Sequence, residues 1–179
     1  IMKALDKGVL ITTKADGKVD SMTLGWGTLG IDWSLPVFTA YIRKSRFTKE
    51  QLEKNPEFTV NVPYGAFDPK ILGVCGSKSG RDMDKAKELG LTLVDPEVIS
   101  VPAVKELPLT LECRVVCVEK QDTDTMPEDI LKEHYPSEKP TPFGGSLENY
   151  HYAFYGQIVS AYIIEAVSYT HLRAHETDQ

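Results

Sequence analysis

The amino-acid sequence predicts a mainly β fold, a barrel decorated with a few short α-helices. About six β-rich runs follow one another at short spacing, and short helical segments interrupt them. The regular alternation of strand and helix that builds a doubly wound parallel sheet is missing, and so is its Gly-x-Gly-x-x-Gly turn. A chain of 179 residues is long enough to close one core, so we expect a single barrel.

Six β-rich runs supply the predicted strands. They are residues 9–11, 19–26, 36–43, 58–63, 107–121 and 152–165. Asp16-Gly17 separates the first two runs and favours a tight hairpin turn, because glycine adopts positive φ without a Cβ clash. In the fifth run, apolar residues occupy alternate positions from Leu109 to Cys117, as in a strand with one buried face. Gly156 predicts a bulge or a bend in the last strand.

Local signals place four short helices between the strands. Thr48 and Gln51 have capping-box spacing, so a helix should begin there and stop at Asn55-Pro56. A second helix should begin near Ser79 and end at Gly90, which is its predicted C-cap. The other two predicted helices are residues 68–74 and 127–134.

We expect one domain over residues 1–165 and a non-native tail over residues 166–179. The tail, AVSYTHLRAHETDQ, follows a complete strand and changes the composition abruptly, and it resembles translated adapter sequence at the ends of some metagenomic genes. His171 and His175 lie four residues apart, a spacing that can bind a metal, but an exposed tail is the better interpretation. His134 and His151 lack further ligands at standard spacing, so no metal site is predicted.

The charge and composition exclude several classes of partner. The net charge is −6 and the isoelectric point about 5.3, so we expect no non-specific binding to nucleic acid or to acidic lipid. No apolar run approaches the length of a membrane span. Three cysteines without a Cys-x-x-Cys motif and without a signal peptide favour a reduced, cytoplasmic protein that acts on small molecules.

Two segments combine cations and hydroxyls with a predicted helix start. The residues are Arg43, Lys44, Ser45, Arg46 and Thr48 in the first segment and Gly76, Ser77, Lys78, Ser79, Gly80, Arg81 and Lys85 in the second. Backbone N–H groups and positive potential at a helix N-terminus bind oxyanions, so a phosphate site is one interpretation. The alternative is that the hydroxyls only cap helices while the cations are solvated.

The segment SMTLGWG, residues 21–27, is the second candidate for ligand binding. Gly25 and Gly27 would let a flat ring system lie against the backbone beside Trp26, although an ordinary strand with a core tryptophan explains the same residues. Motifs for nucleophilic or zinc hydrolysis are missing, and the cysteines are interpreted as packing residues. We therefore predict no catalytic side chain, and a cofactor is the expected reagent.

Read together, SMTLGWG, IRKSRFTKEQLEKNPEFTVNVP and CGSKSGRDMDKAKELGLT resemble the flavin reductase-like family of FMN-binding split-barrel proteins, including its flavoredoxin-type members. The final YHYAFYGQIVSAYIIE is similar to the closing strand of that family. The resemblance covers residues 2–165 in order. It implies a six-stranded Greek-key split barrel with a few short α-helices, which forms a homodimer and holds FMN non-covalently near the dimer interface.

The resemblance also implies which residues bind the cofactor. Met22, Thr23, Leu24 and Trp26 would line the isoalloxazine, Arg43, Ser45, Arg46 and Thr48 would hold the phosphate, and Ser79, Gly80 and Lys85 would close over the phosphate or the ring edge. Phe47 stands where relatives often have tyrosine, so this chain keeps the aromatic ring and lacks the hydroxyl.

The implied activity is hydride transfer from NADH or NADPH to the flavin, followed by electron delivery to free flavin, iron or another acceptor. The residues from Pro136 to Gly145 are the expected cover of the nicotinamide. Two alternatives stay open at this point. The protein could be a non-catalytic FMN-binding electron carrier or redox-sensing module, or a related split barrel that uses a deazaflavin.

Overall fold

The computed structural model describes residues 1–136 and 149–165. Within these ranges the helices are α1 (Met2–Lys7), α2 (Phe47–Lys54), α3 (Lys70–Ser77), α4 (Lys85–Leu89), α5 (Glu128–His134) and a 3-10 turn (Thr123–Thr125). The strands are β1 (Val9–Ala15), β2 (Lys18–Leu24), β3 (Gly27–Asp32), β4 (Leu35–Arg43), β5 (Glu57–Val62), β6 (Leu93–Val94), β7 (Ala103–Val104), β8 (Leu109–Lys120) and β9 (His151–Ile163). The predicted tail and residues 137–145 of the predicted cover lie outside the described residues.

The main sheet is antiparallel and has the order β2-β1-β5-β8-β9-β4-β3, while β6 and β7 pair separately. Its two edge strands, β2 and β3, are consecutive in the chain and are joined by Gly25 and Trp26. Because Met22 of β2 packs in the same core as Phe38 and Ile42 of β4, the sheet is rolled so that its ends approach each other. The predicted class, a mainly β barrel with short helices, is confirmed.

The described part of the main sheet has seven strands, so the predicted count of six was one too low. The missed strand is β3, which forms a hairpin with β4 through a turn at Trp33 and Ser34, both with positive φ. Apart from half-buried Gly27, every residue of β3 is exposed, and Gly27, Gly30 and Asp32 are poor strand formers. Without a buried face there is no alternation to detect.

The core lies inside the rolled sheet around Phe38 and Phe58, whose ring centroids are 6.5 Å apart. Gly156 is required beside them, because a Cβ at this position would lie 2.5 Å from the Phe58 ring. A bulge occurs at this position, but its extra residue lies on the partner strand β8 and not on the last strand as predicted. Val115 pairs with Gly156 and Cys117 pairs with Tyr155, which leaves Val116 as the extra residue.

Two predicted helix starts were wrong, because the Thr48 hydroxyl makes a tertiary contact and the Ser79 hydroxyl makes a local turn contact instead of capping a helix. Helix α2 has Arg46 as its N-cap, and the Thr48 hydroxyl donates instead to the Met22 sulfur at 3.5 Å. Helix α4 begins six residues after Ser79 and is capped by Asp84, which accepts from the backbone of Lys87 at 3.0 Å. The predicted C-cap at Gly90 is confirmed by its left-handed φ of 63°.

Helix α3 spans Lys70–Ser77, slightly later than predicted, and α1 was not predicted. Both α3 and α4 pack against β2, on the outside of the rolled sheet. None of the helices in the described residues is long and apolar enough to span a membrane.

Candidate functional site

Two arginines converge where β4 ends and α2 begins. Arg43 is the last residue of β4, and Arg46 is the N-cap of α2, to which its side chain makes no capping hydrogen bond. Burial lowers the pKa of both guanidinium groups, and Arg43 lowers the pKa of Arg46 further. Such mutual repulsion indicates a concentration of positive charge. Together with the helix N-terminus, this chemistry fits an anion such as a phosphate.

A cavity of about 510 Å³ lies beside the corner between β2 and β3. Gly25 and Gly27 form part of its wall, with aromatic side chains around them: Trp26, Tyr41, His134 and Tyr135. Trp26 is 42% exposed, so its ring is available to a ligand. The volume lies within the ~300–1,000 Å³ of small-molecule sites, and the aromatic wall suits a flat ring system.

Arg43 joins the cavity to the basic segment. Its guanidinium carbon lies 5.9 Å from the centroid of Trp26 and 5.2 Å from that of Tyr135. The same group donates to the backbone carbonyls of Asn149 and His134, each at 3.2 Å. A ligand with a flat ring and an anionic tail could therefore contact both parts of one continuous site.

Behind Trp26 lies a buried histidine that sequence reasoning considered only as a metal ligand. His151 pairs with Arg43 between β4 and β9, and its ring lies 4.6 Å from that of Trp26. Burial, followed by the charges of Arg43, His134 and Arg46, lowers the pKa of His151 to about 3. The neutral imidazole shares a hydrogen bond at Nδ1 with the Tyr135 hydroxyl, whose own pKa burial raises. His151 therefore supports the cavity wall without adding charge.

The second predicted segment does reach the first. The Arg81 guanidinium donates to the Ser45 carbonyl at 3.2 Å and forms an ion pair with Glu50 of α2. Gly80 lies so close to Asp20 of β2 that a Cβ would overlap the carboxylate. This packing fixes the loop, and the backbone N–H of Arg81 donates to the Ser79 hydroxyl at 3.1 Å within it.

Lys85 does not reach the surface of the site. Its side chain is buried, and the ammonium forms an ion pair with Asp20 at 3.2 Å and donates to the Ser21 carbonyl at 2.8 Å. Burial raises the pKa of Asp20, an effect that the charge of Lys85 opposes. A phosphate could contact Lys85 only after these contacts were broken.

The four residues that were predicted to line a ring lie in different environments. Met22 and Leu24 are buried in the core, and the Thr23 hydroxyl donates to the Leu72 carbonyl at 2.6 Å. Trp26 lines the cavity. Burial raises the pKa of nearby Cys75 to about 11, which favours the inert thiol and the predicted packing role.

Residues 2–176 match the family model described as Flavin reductase like domain. The chain belongs to the flavin reductase-like family. An uncharacterized protein of Archaeoglobus fulgidus is 34% identical over 99 residues, which are 55% of this chain and 55% of that protein. YddH of Escherichia coli K12, also uncharacterized, is 31% identical over 111 residues, 60% and 58% of the two chains. The aligned regions thus span little more than half of these curated relatives.

Solved structures agree with the family. Flavoredoxin from Methanosarcina acetivorans is 28% identical with a TM-score of 0.64, covering 88% of this chain and 68% of that one. An FMN-binding protein from Thermus thermophilus, 20% identical, has a TM-score of 0.63 over 87% of this chain and 69% of its own, and it shows the shared fold alone. These matches confirm the predicted flavin reductase-like, split-barrel class, and the family supports a flavin-related redox role.

Proposed function

We propose that this flavin reductase-like protein is an FMN-dependent oxidoreductase that passes reducing equivalents from NAD(P)H, through the flavin, to free flavin, iron or another acceptor. The observation that carries the proposal is the junction at Arg43, where an aromatic cavity adjoins a basic helix N-terminus. Membership of the flavin reductase-like family and the likeness to a flavoredoxin support a flavin as the ligand.

The residues present fit FMN. Arg43, Ser45 and Arg46, with the N-terminus of α2, would hold the phosphate, because they offer guanidinium, hydroxyl and backbone N–H donors. Trp26 and the glycines beside it would face the ring in the cavity. Bound FMN would supply the hydride and electron chemistry. The side chains of the protein would bind and orient, and none of them is assigned as a general acid or base.

The experiment that tests the activity is anaerobic stopped-flow mixing of FMN-loaded protein with NADH and, separately, with NADPH. We expect the flavin absorbance to bleach faster than that of free FMN at the same concentration, because a held ring and nicotinamide react as an oriented pair. Free FMN in the same buffer is the control. If neither nicotinamide bleaches bound FMN faster than free FMN, the enzyme proposal fails and the alternative of an electron carrier replaces it.

We further propose a homodimer that uses β3. This strand is an edge of the described sheet, and it exposes Leu29 and Ile31, with Ile31 76% exposed and with exposed Trp33 in the turn that follows. Exposed apolar residues on a sheet edge favour pairing with another chain, and β3 begins at the wall of the cavity. Sedimentation velocity should show a dimer that Ile31→Lys weakens. A monomer at micromolar concentration would contradict the proposal.

A further inference from the structure

We propose that Arg81 is the residue by which this site distinguishes a phosphorylated flavin from an unphosphorylated one, and that Glu50 competes with the phosphate for it. The inference rests on the proposed function, since it assumes that the site beside Arg43 binds FMN. The sequence places Arg81 in one of the two predicted anion-binding segments but gives it no role of its own, and the inference assigns it one.

Arg81 and Lys85, two cations of the second segment, lie in different environments. Lys85 is only 3% exposed and is held by Asp20 and by the Ser21 carbonyl. Arg81 is exposed, and its guanidinium reaches across to the Ser45 carbonyl. Of these two cations, Arg81 is therefore the one that lies at the N-terminus of α2, where the phosphate is expected.

The fold holds Arg81 at this position through the residue before it and through an aromatic ring. Gly80, the preceding residue, packs against the Asp20 carboxylate, which the buried Lys85 ammonium fixes in turn. The Arg81 guanidinium also lies 5.6 Å from the centroid of Phe47, the first residue of α2. The backbone anchor and the aromatic ring together keep the guanidinium beside the helix start. Phe47 needs no hydroxyl to provide this contact.

A carboxylate of α2 competes for the Arg81 guanidinium. Glu50 lies in the first turn of α2 and forms an ion pair with Arg81. Both side chains are about half exposed, so the ion pair is weak and exchangeable. A phosphate carries more negative charge and more acceptor oxygens than a carboxylate, so it can displace Glu50 from the guanidinium. Glu50 then acts as a stand-in anion that an unphosphorylated flavin cannot replace.

The test compares dissociation constants for FMN and riboflavin, measured by quenching of flavin fluorescence. We expect Arg81→Gln to weaken FMN about ten-fold and to leave riboflavin nearly unchanged, because one partly exposed charge-assisted contact is lost. Arg81→Lys should restore part of the preference for FMN. Glu50→Gln should tighten FMN about three-fold, and this gain should vanish when Arg81→Gln is also present.

Glu53→Gln is the matched control, since it removes the same charge about one turn further along α2, from an ion pair with Lys49. We expect it to change neither constant. If the wild-type protein prefers FMN and Arg81→Gln has the same ratio of FMN to riboflavin dissociation constants, the inference is wrong and the proposed function stands. Wild-type protein that binds neither flavin overturns the proposed function together with the inference.

Discussion

Asp20→Asn is expected to lower the free energy of unfolding by about 3 kcal/mol, because it leaves the Lys85 ammonium buried without its counter-charge. Asparagine matches the aspartate in size, so Gly80 can still pack against it, and the amide oxygen keeps one hydrogen bond. The loss should therefore fall at the lower end of the ~3–5 kcal/mol typical of broken buried pairs. Urea denaturation of the apo-protein measures it.

Two further variants separate the charge effect from loss of packing. Lys85→Met should also lower the free energy of unfolding, but by less at acidic pH. Burial already raises the pKa of Asp20, so its carboxyl is protonated more readily, and the neutral acid needs no counter-charge. The double variant should lose less free energy of unfolding than the two single variants lose in sum. Asp16→Asn, which breaks the exposed ion pair with Lys54, is the control and should change nothing measurable. If Asp20→Asn lowered the free energy of unfolding no more than this control does, the buried ion pair would be dispensable for stability.

Arg43→Ala is expected to weaken FMN by about 10- to 150-fold, which corresponds to the ~1.5–3 kcal/mol of a hydrogen bond to a charged group. The affinity for riboflavin should fall much less, because riboflavin lacks the phosphate. A smaller loss is still expected for riboflavin, since Arg43 also holds the backbone of His134 at the cavity wall. Equilibrium dialysis with both flavins checks the result.

The control for this prediction is Arg114→Ala, which removes an arginine of β8 that is paired with Glu57 of β5 and does not line the cavity. It should leave both affinities unchanged. Arg43→Lys keeps the charge without the planar fork, so we expect an intermediate affinity for FMN. Equal losses for FMN and riboflavin in Arg43→Ala would contradict the assignment of Arg43 to the phosphate.

Much of the fold could be predicted from the sequence because its strands have a buried face. Residues 36–43 and 58–63 are apolar and β-rich, and both form strands in the interior of the sheet near their predicted bounds. The helix starts could not be predicted in the same way. The Gln51 side chain that suggests a capping box instead donates to the Lys18 carbonyl at 2.9 Å and contacts Thr13. Such long-range partners are invisible to a local pattern.

The site could be predicted in composition but not in arrangement. Cation-rich segments indicated an anion site, and the structure brings both segments together through Arg81 and Ser45. Sequence alone could not show that Lys85 is buried, because burial depends on Asp20 from another strand. His151 was missed for a similar reason. Its partners, Trp26 and Arg43, lie more than a hundred residues earlier in the chain.

The rolled sheet has a consequence for the order in which the protein assembles. Five strand steps separate β2 from β4, so a flat sheet would hold them about 24 Å apart. The contact between Met22 and Thr48 and that between Arg81 and Ser45 form only once the ends of the sheet have met. A partly folded chain therefore has no complete site, and a ligand can enter only the finished barrel. We expect bound ligand to slow unfolding and to leave the folding rate unchanged.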